Sequence, residues 1–182
     1  MKDYFRKIDY KLIDEKTAYK GKRITIKEMK FDTGEQEIYR EHVLAGDGVA
    51  IVAITEDDEL IMIQEPRTPV ERVVLDIPAG KLENGEDPEE AAIRELEEET
   101  GYKANYMKKL RDVYPSVGYS NEKLTICLAK DLVKTERHLD FDEDIEVVKI
   151  PLKEVKKLLD NNKLKTLSSV LGLMHYFMYI EK

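Results

Sequence analysis

The chain has 182 residues, of which 42% are hydrophobic and 37% charged, enough for one globular domain with a sizeable core and a small appendage. A formal net charge of −8 argues against general binding to nucleic acid or acidic membranes, which needs a basic footprint. No run of about 18 apolar residues offers a membrane span, and the opening MKDYFRKIDYKL lacks the apolar core of a signal peptide, so a cytoplasmic location is expected.

Residues 1–45 are charged, with short alternating patches at Tyr10, Leu12 and Ile13, and again at Ile24, Ile26, Met29 and Phe31. Lys20-Gly21-Lys22 and Asp32-Thr33-Gly34 supply turn chemistry, which predicts a few strands and a hairpin about Thr33-Gly34. The apolar content is thin for a segment that folds alone. This arm is expected to lean on the main domain, 46–182, or on a second subunit.

From Gly48 the pattern changes to short apolar runs, VAIVAIT (49–55), ELIMIQE (59–65) and RVVLDI (72–77), parted by acidic or proline-containing turns. Their length and punctuation predict buried strands. Pro78-Ala79-Gly80 is read as the end of this sheet segment. A helix follows, with Asp87 as N-cap, Pro88 at its first position, Glu90 completing a capping box and Gly101 at its end. Further strands are predicted over 104–114, 124–132 and 146–151, around a loop YPSVGYSNE (114–122) and an acidic stretch DFDED (140–144). Cys127, the single cysteine, falls in a buried strand and excludes an intrachain disulfide. Two amphipathic helices close the chain, one beginning at Pro151 with Val155, Leu158 and Leu159 inward, the other carrying Leu164, Leu167, Val170, Leu171, Met174, Phe177 and Met178. This order implies a mixed sheet covered by helices on both faces.

The central helix carries the chemistry. At 100° per residue Glu95, Glu98 and Glu99 share one face. Three like charges on one face destabilise a helix unless a cation neutralises them, and oxygen ligands suit a hard divalent ion such as Mg²⁺ or Mn²⁺. A glutamate-rich helix taken alone is more commonly a solvated face. The surrounding spacing tips the balance: Gly80, five residues, Glu86, seven residues, Arg94-Glu95-Leu96, one residue, Glu98-Glu99, one residue, Gly101-Tyr102.

This spacing resembles the Nudix box, G-x5-E-x7-R-E-U-x-E-E-x-G-U, with Tyr102 departing from the last aliphatic position. The likeness extends over most of the chain and is nearest to ADP-ribose pyrophosphatases, through TAYKGKRITIKEMKFDTGE (17–35), REHVLAGDGVAIVAI (40–54), IQEPRTPVERVVLDIPAGKLE (63–83) and YPSVGYSNEKL (114–124). The resemblance implies an α/β/α sandwich with a mixed sheet and an N-terminal β-hairpin arm, exchanged in a homodimer. It implies metal held by Glu95, Glu98, Glu99 and the Ala79 carbonyl, with Arg94 orienting a box carboxylate. The resemblance gives Glu86 an outer or structural role, and it stands open between direct ligation and pairing with Arg94. The base is Glu98 or Glu122. Arg67, Arg40 and Asp76 match substrate-binding positions, and Tyr19 or Phe31 is a candidate to stack on the base. His42, His138 and His175 follow no ligand spacing.

Two departures bear on substrate. Val117 stands where the subfamily has proline sixteen residues after the box glycine, and Asp76 replaces a glutamate one methylene longer. The expected activity is Mg²⁺-dependent hydrolysis of the diphosphate in ADP-ribose or a related nucleotide sugar to a nucleoside monophosphate and a sugar phosphate. The alternatives are GDP-mannose or a dinucleotide as substrate, or a nucleotide-sugar sensor without turnover, which would be expected to lose box carboxylates.

Overall fold

The computed structural model describes residues 6–141 and 143–181; the first five residues of the arm and Asp142 of the acidic stretch lie outside them. The chain divides into two compact units, one of residues 1–46 with 114–122 and one of residues 47–113 with 123–182.

In the first unit three antiparallel strands, β1 (Lys11–Lys20), β2 (Thr25–Asp32) and β3 (Glu37–Leu44), form a sheet in sequence order. The hairpin expected at Thr33-Gly34 is present. Gly34 adopts φ 87°, a left-handed conformation that a residue without Cβ takes at little cost, and its N–H donates to Asp32 Oδ1 at 2.8 Å. Every residue of β1 is exposed, so the patch Tyr10, Leu12 and Ile13 lies outside any core. The loop 114–122 joins this unit through β3: Val43 N donates to Tyr119 O at 2.7 Å, and Val43 bridges to Ser120 in parallel.

The second unit is built on β4 (Gly48–Ile54), β5 (Glu59–Arg67), β6 (Arg72–Asp76), β7 (Ala79–Lys81), β8 (Tyr102–Val113), β9 (Leu124–Lys134) and β10 (Glu146–Pro151). The path β10-β5-β4-β9-β8 carries β6 on β5 and β7 on β4. The pair β4–β9 is parallel and the rest are antiparallel, so the sheet is mixed. Successive side chains of a strand point to opposite faces, and β4, buried throughout, splits accordingly. Ala50, Val52 and Ile54 pack with α2 (Leu152–Asp160) and α3 (Leu167–Tyr179), whereas Val49, Ile51 and Ala53 pack with Ala91, Ala92 and Leu96 of α1 (Pro88–Thr100). This is the expected three-layer sandwich, with α1 alone on one face. Leu96 and Leu173 are each fully buried, worth about 2 kcal/mol apiece relative to exposure.

Two local expectations are corrected. Pro78-Ala79-Gly80 does not end the sheet: Ala79–Lys81 form β7, pairing antiparallel with Gly48–Ala50. Pro151 does not begin a helix but ends β10 and precedes α2.

Candidate active site

Local sequence sets the start and stop of α1. Asp87 Oδ1 accepts from Glu89 N at 2.8 Å, Pro88 occupies the first turn, and Gly101 turns left-handed at φ 70° with its N–H donating to Glu97 O. The apolar side of this helix, Ala91, Ala92 and Leu96, is anchored on the sheet. The carboxylates are therefore held on a rigid support.

The cation in contact with the carboxylate face is Arg94. Its Nε and Nη2 fork onto Glu86 Oε1 and Oε2, both at 2.9 Å, while Nη1 reaches Glu95 Oε1 and Glu98 Oε2, each at 2.9 Å, and Nη2 also donates to Lys81 O at 3.1 Å. A planar guanidinium can serve several acceptors in this way; an ammonium cannot. The pairing with Arg94 holds the Glu86 carboxyl below its usual range, and the Glu86 carboxylate also accepts from Glu83 N at 2.9 Å. Glu86 thus takes the pairing role left open by the spacing.

Glu95 and Glu99 are less comfortable. Burial raises the pKa of Glu95, against the pull of Arg94. Glu99, only 3% exposed, is pushed up to about 9 by burial, the charges of Glu95, Glu143 and Glu65 adding to the effect, while a 3.0 Å hydrogen bond from Ala79 N opposes it. A buried carboxylate with no cationic partner among the described residues is the donor that a divalent cation would suit. Gly80 makes room for the Glu95 carboxylate: a Cβ there would lie 2.0 Å from its carboxyl carbon. The described residues contain no group of three or more His, Cys, Asp or Glu in ligating array; Arg94 engages Glu95 and Glu98 and Ala79 N engages Glu99. The donor set nevertheless suits a hard cation in kind, since Glu95, Glu98, Glu99 and the Ala79 carbonyl offer only oxygen.

The remaining candidate residues separate. Arg67 pairs with Glu65 at 2.7 Å, and Glu65 is one of the charges acting on Glu99. Asp76 has partners other than substrate: it is 8% exposed and accepts from the hydroxyls of Thr166, Ser168 and Ser169 at 2.7, 2.8 and 2.6 Å. Arg40, on β3 of the first unit, donates to Tyr39 O at 2.7 Å. Glu122 ends the loop of that unit, with its N–H donating to Ser120 Oγ at 3.1 Å.

The sequence reading assigned no role to Glu143, yet its charge raises the pKa of both Glu95 and Glu99. Asp140 N donates to Glu143 Oε2 at 3.0 Å, and Glu143 N donates to Asp140 O. The available signal was the acidic stretch itself, but nothing local says that it turns toward α1.

Residues 45–170 match the NUDIX domain family model. The chain belongs to the Nudix family. This Nudix chain is 36% identical to ADP-ribose pyrophosphatase of Bacillus subtilis (strain 168), covering 87% of each chain. It is 33% identical to the methanol dehydrogenase activator of Bacillus methanolicus, covering 91% of this chain and 94% of that one, and 30% identical to the ADP compounds hydrolase NudE of Escherichia coli (strain K12), covering 82% of each. Among solved structures, the crystal structure of an ADP compounds hydrolase superposes with TM-score 0.84 at 26% identity, covering 94% of both chains. The expected Nudix sandwich thus agrees with a solved relative.

Proposed function

We propose that this Nudix hydrolase cleaves the diphosphate of ADP-ribose or a closely related nucleotide sugar, giving a nucleoside monophosphate and a sugar phosphate, with Mg²⁺ or Mn²⁺ as cofactor. The carrying observation is the intact carboxylate face of α1, in which Glu99 is buried and accepts from Ala79 N, with no cationic partner among the described residues. The names of the Bacillus subtilis and Escherichia coli relatives supply the substrate class.

Glu95, Glu98, Glu99 and the Ala79 backbone would hold the ion. When bound, it supplies Lewis-acid polarisation of the phosphoryl oxygens and a water of lowered pKa. Arg94 keeps Glu95 and Glu98 on one side of the helix while binding Glu86 with its other edge. The base takes the proton of the attacking water as the oxygen–phosphorus bond forms and the bridging oxygen leaves with its electron pair. Glu98, with 41% of its side chain exposed, and Glu122 are the candidates named by the sequence. Arg67 and Arg40 are proposed to meet the nucleotide, where a guanidinium stacks on a base or forks onto phosphate.

The proposal includes a homodimer, a cytoplasmic location and a division into an arm (1–45) and a Nudix domain (46–182). The dimer is supported by β1, on which Leu12, Ile13 and Tyr19 are 42%, 45% and 54% exposed, an apolar edge that a second subunit would cover. Light scattering at micromolar concentration should return twice the chain mass. The location is supported by the buried free thiol of Cys127. Incubation with ADP-ribose and Mg²⁺ should release AMP at a rate far above Glu98→Gln; equal rates would refute the assignment. A substrate panel including GDP-mannose and a dinucleotide tests the breadth allowed by Val117 and Asp76.

A further inference from the structure

We propose that Asp76 is a positioning residue for the metal site, tying the start of α3 to the strand end that presents Ala79 to Glu99. The inference rests on the metal-cage reading above.

Burying a carboxylate is costly unless hydrogen bonds replace its water, and Asp76 receives a full set. Oδ1 accepts from Thr166 Oγ1 at 2.7 Å, Ser168 Oγ at 2.8 Å, Ser169 Oγ at 2.6 Å and Ile77 N at 2.8 Å, and Ser168 Oγ also lies 3.0 Å from Oδ2. Two of these hydroxyls have a second task. Thr166 Oγ1 accepts from Ser169 N at 3.4 Å as the cap of α3. Ser169 Oγ, itself only a buried acceptor and donor within the fold, accepts from Ile77 N at 3.0 Å. Asp76, Ile77, Thr166 and Ser169 therefore form a closed clamp between segments about 90 residues apart.

The clamp acts on the metal site through a short, stiff path. Ile77 is fully buried. Pro78 follows with φ restricted by its ring, and its carbonyl accepts from Ile51 N at 2.8 Å. Ala79 comes next, already paired with Ala50 of β4 and donating to Glu99 Oε2 at 3.0 Å. The side facing β4 is fixed by the ladder, and the other end of the segment is fixed by Asp76. Release of the clamp frees the Ile77–Pro78 unit to rotate about the ladder, which displaces Ala79 relative to Glu99.

An aspartate meets these requirements better than its neighbours in chemistry. Asparagine keeps an acceptor at Oδ1 but presents an NH₂ group to Ser168, whose hydroxyl must then turn to accept. Alanine leaves three buried or half-buried hydroxyls without their acceptor. A glutamate would push its carboxylate one methylene further into the start of α3, where Ser169 is fully buried.

The test is Mn²⁺ affinity, measured by calorimetry on the full chain, for wild type, Asp76→Asn, Asp76→Ala, Ser169→Ala and Leu173→Ala. Leu173 is fully buried in the same helix and serves as the control for destabilisation alone. Loss of an outer partner of a metal ligand typically costs at least about 10-fold in affinity. Asp76→Ala should weaken Mn²⁺ binding by about that factor and Asp76→Asn by less, with kcat on ADP-ribose falling more than KM rises. Leu173→Ala should lower Tm and leave Mn²⁺ affinity within about twofold. Wild-type affinity in both Asp76 variants would overturn the proposal, and so would an equal loss in Leu173→Ala. Should Asp76→Ala not fold, Asp76→Asn and Ser169→Ala decide on the same criterion. A wild type that binds no Mn²⁺ would remove the cage reading and this proposal together, whereas unchanged variants in a metal-binding wild type remove this proposal alone.

Discussion

Replacing Arg94 with alanine removes the cation that bonds to Glu86, Glu95 and Glu98 together. Glu86 loses a bidentate partner, and Glu95 and Glu98 each lose a 2.9 Å hydrogen bond. Hydrogen bonds to charged groups contribute about 1.5–3 kcal/mol each when sheltered, and exposed pairs less than about 1 kcal/mol. The side chains of Arg94, Glu86 and Glu95 are 27%, 16% and 13% exposed, against 41% for Glu98. The bonds share one guanidinium and are not additive, which places the loss at about 3 kcal/mol in metal-free protein. For a domain of this size each kcal/mol shifts Tm by about 2–4 °C, so a fall of roughly 6–12 °C is expected in thermal unfolding followed by circular dichroism. Arg94→Lys should recover less than half, because one ammonium cannot span Glu86 and the Glu95–Glu98 pair at once. Mg²⁺ should raise the Tm of the alanine variant more than that of wild type. A fall of less than about 2 °C, or full recovery with lysine, would refute the account of Arg94 as the organiser of this face.

Three further outcomes follow from individual positions. Burial lifts Glu99 from its ordinary 4.5 to about 9, so its contribution to metal-free stability is intact below about 4.5 and is lost as pH rises toward 9. Metal-free Glu99→Gln should accordingly match wild type near pH 5 and exceed it in Tm by pH 9, while losing at least about 100-fold in hydrolysis; parallel Tm curves over that window would contradict the burial argument. Gly80→Ala should fold normally, since the atoms nearest the added Cβ are the movable carboxylate end of Glu95, yet lose about 10-fold or more in kcat. Unchanged turnover would show that the Glu95 carboxylate position is not critical. Cys127 is fully buried, with its thiol pushed up to about 12 chiefly by burial, so native protein at pH 8 should resist alkylation for hours and react only on denaturation; rapid labelling of the folded chain would refute its burial.

How much was legible depended on the range of the interaction. The Asp87 cap, Pro88 and Gly101 act within a few residues of the helix they bound, so its limits could be read directly. The continuous apolar run of β4 likewise announced a buried strand. By contrast, β7 was hidden because Ala79–Lys81 carry no strand pattern of their own and extend only by pairing with Gly48–Ala50. The patch at Leu12 and Ile13 showed the opposite limit, a strand-like sequence on a strand exposed along its whole length.

The sequence by itself determined the chemistry on offer at α1, because helical periodicity places Glu95, Glu98 and Glu99 together whatever surrounds them. It also determined the family, through the spacing from Gly80 to Tyr102. Only the tertiary structure decided what those carboxylates experience. Burial against the sheet raises Glu99, Arg94 takes Glu86, Glu95 and Glu98 as partners, and the charge of Glu143 acts on Glu95 and Glu99. It also gave Asp76 its hydrogen-bond donors, hydroxyls that the chain supplies about 90 residues later. Proximity across such separations is set by the packing of the whole sheet and its helices, and no local pattern of residues encodes it.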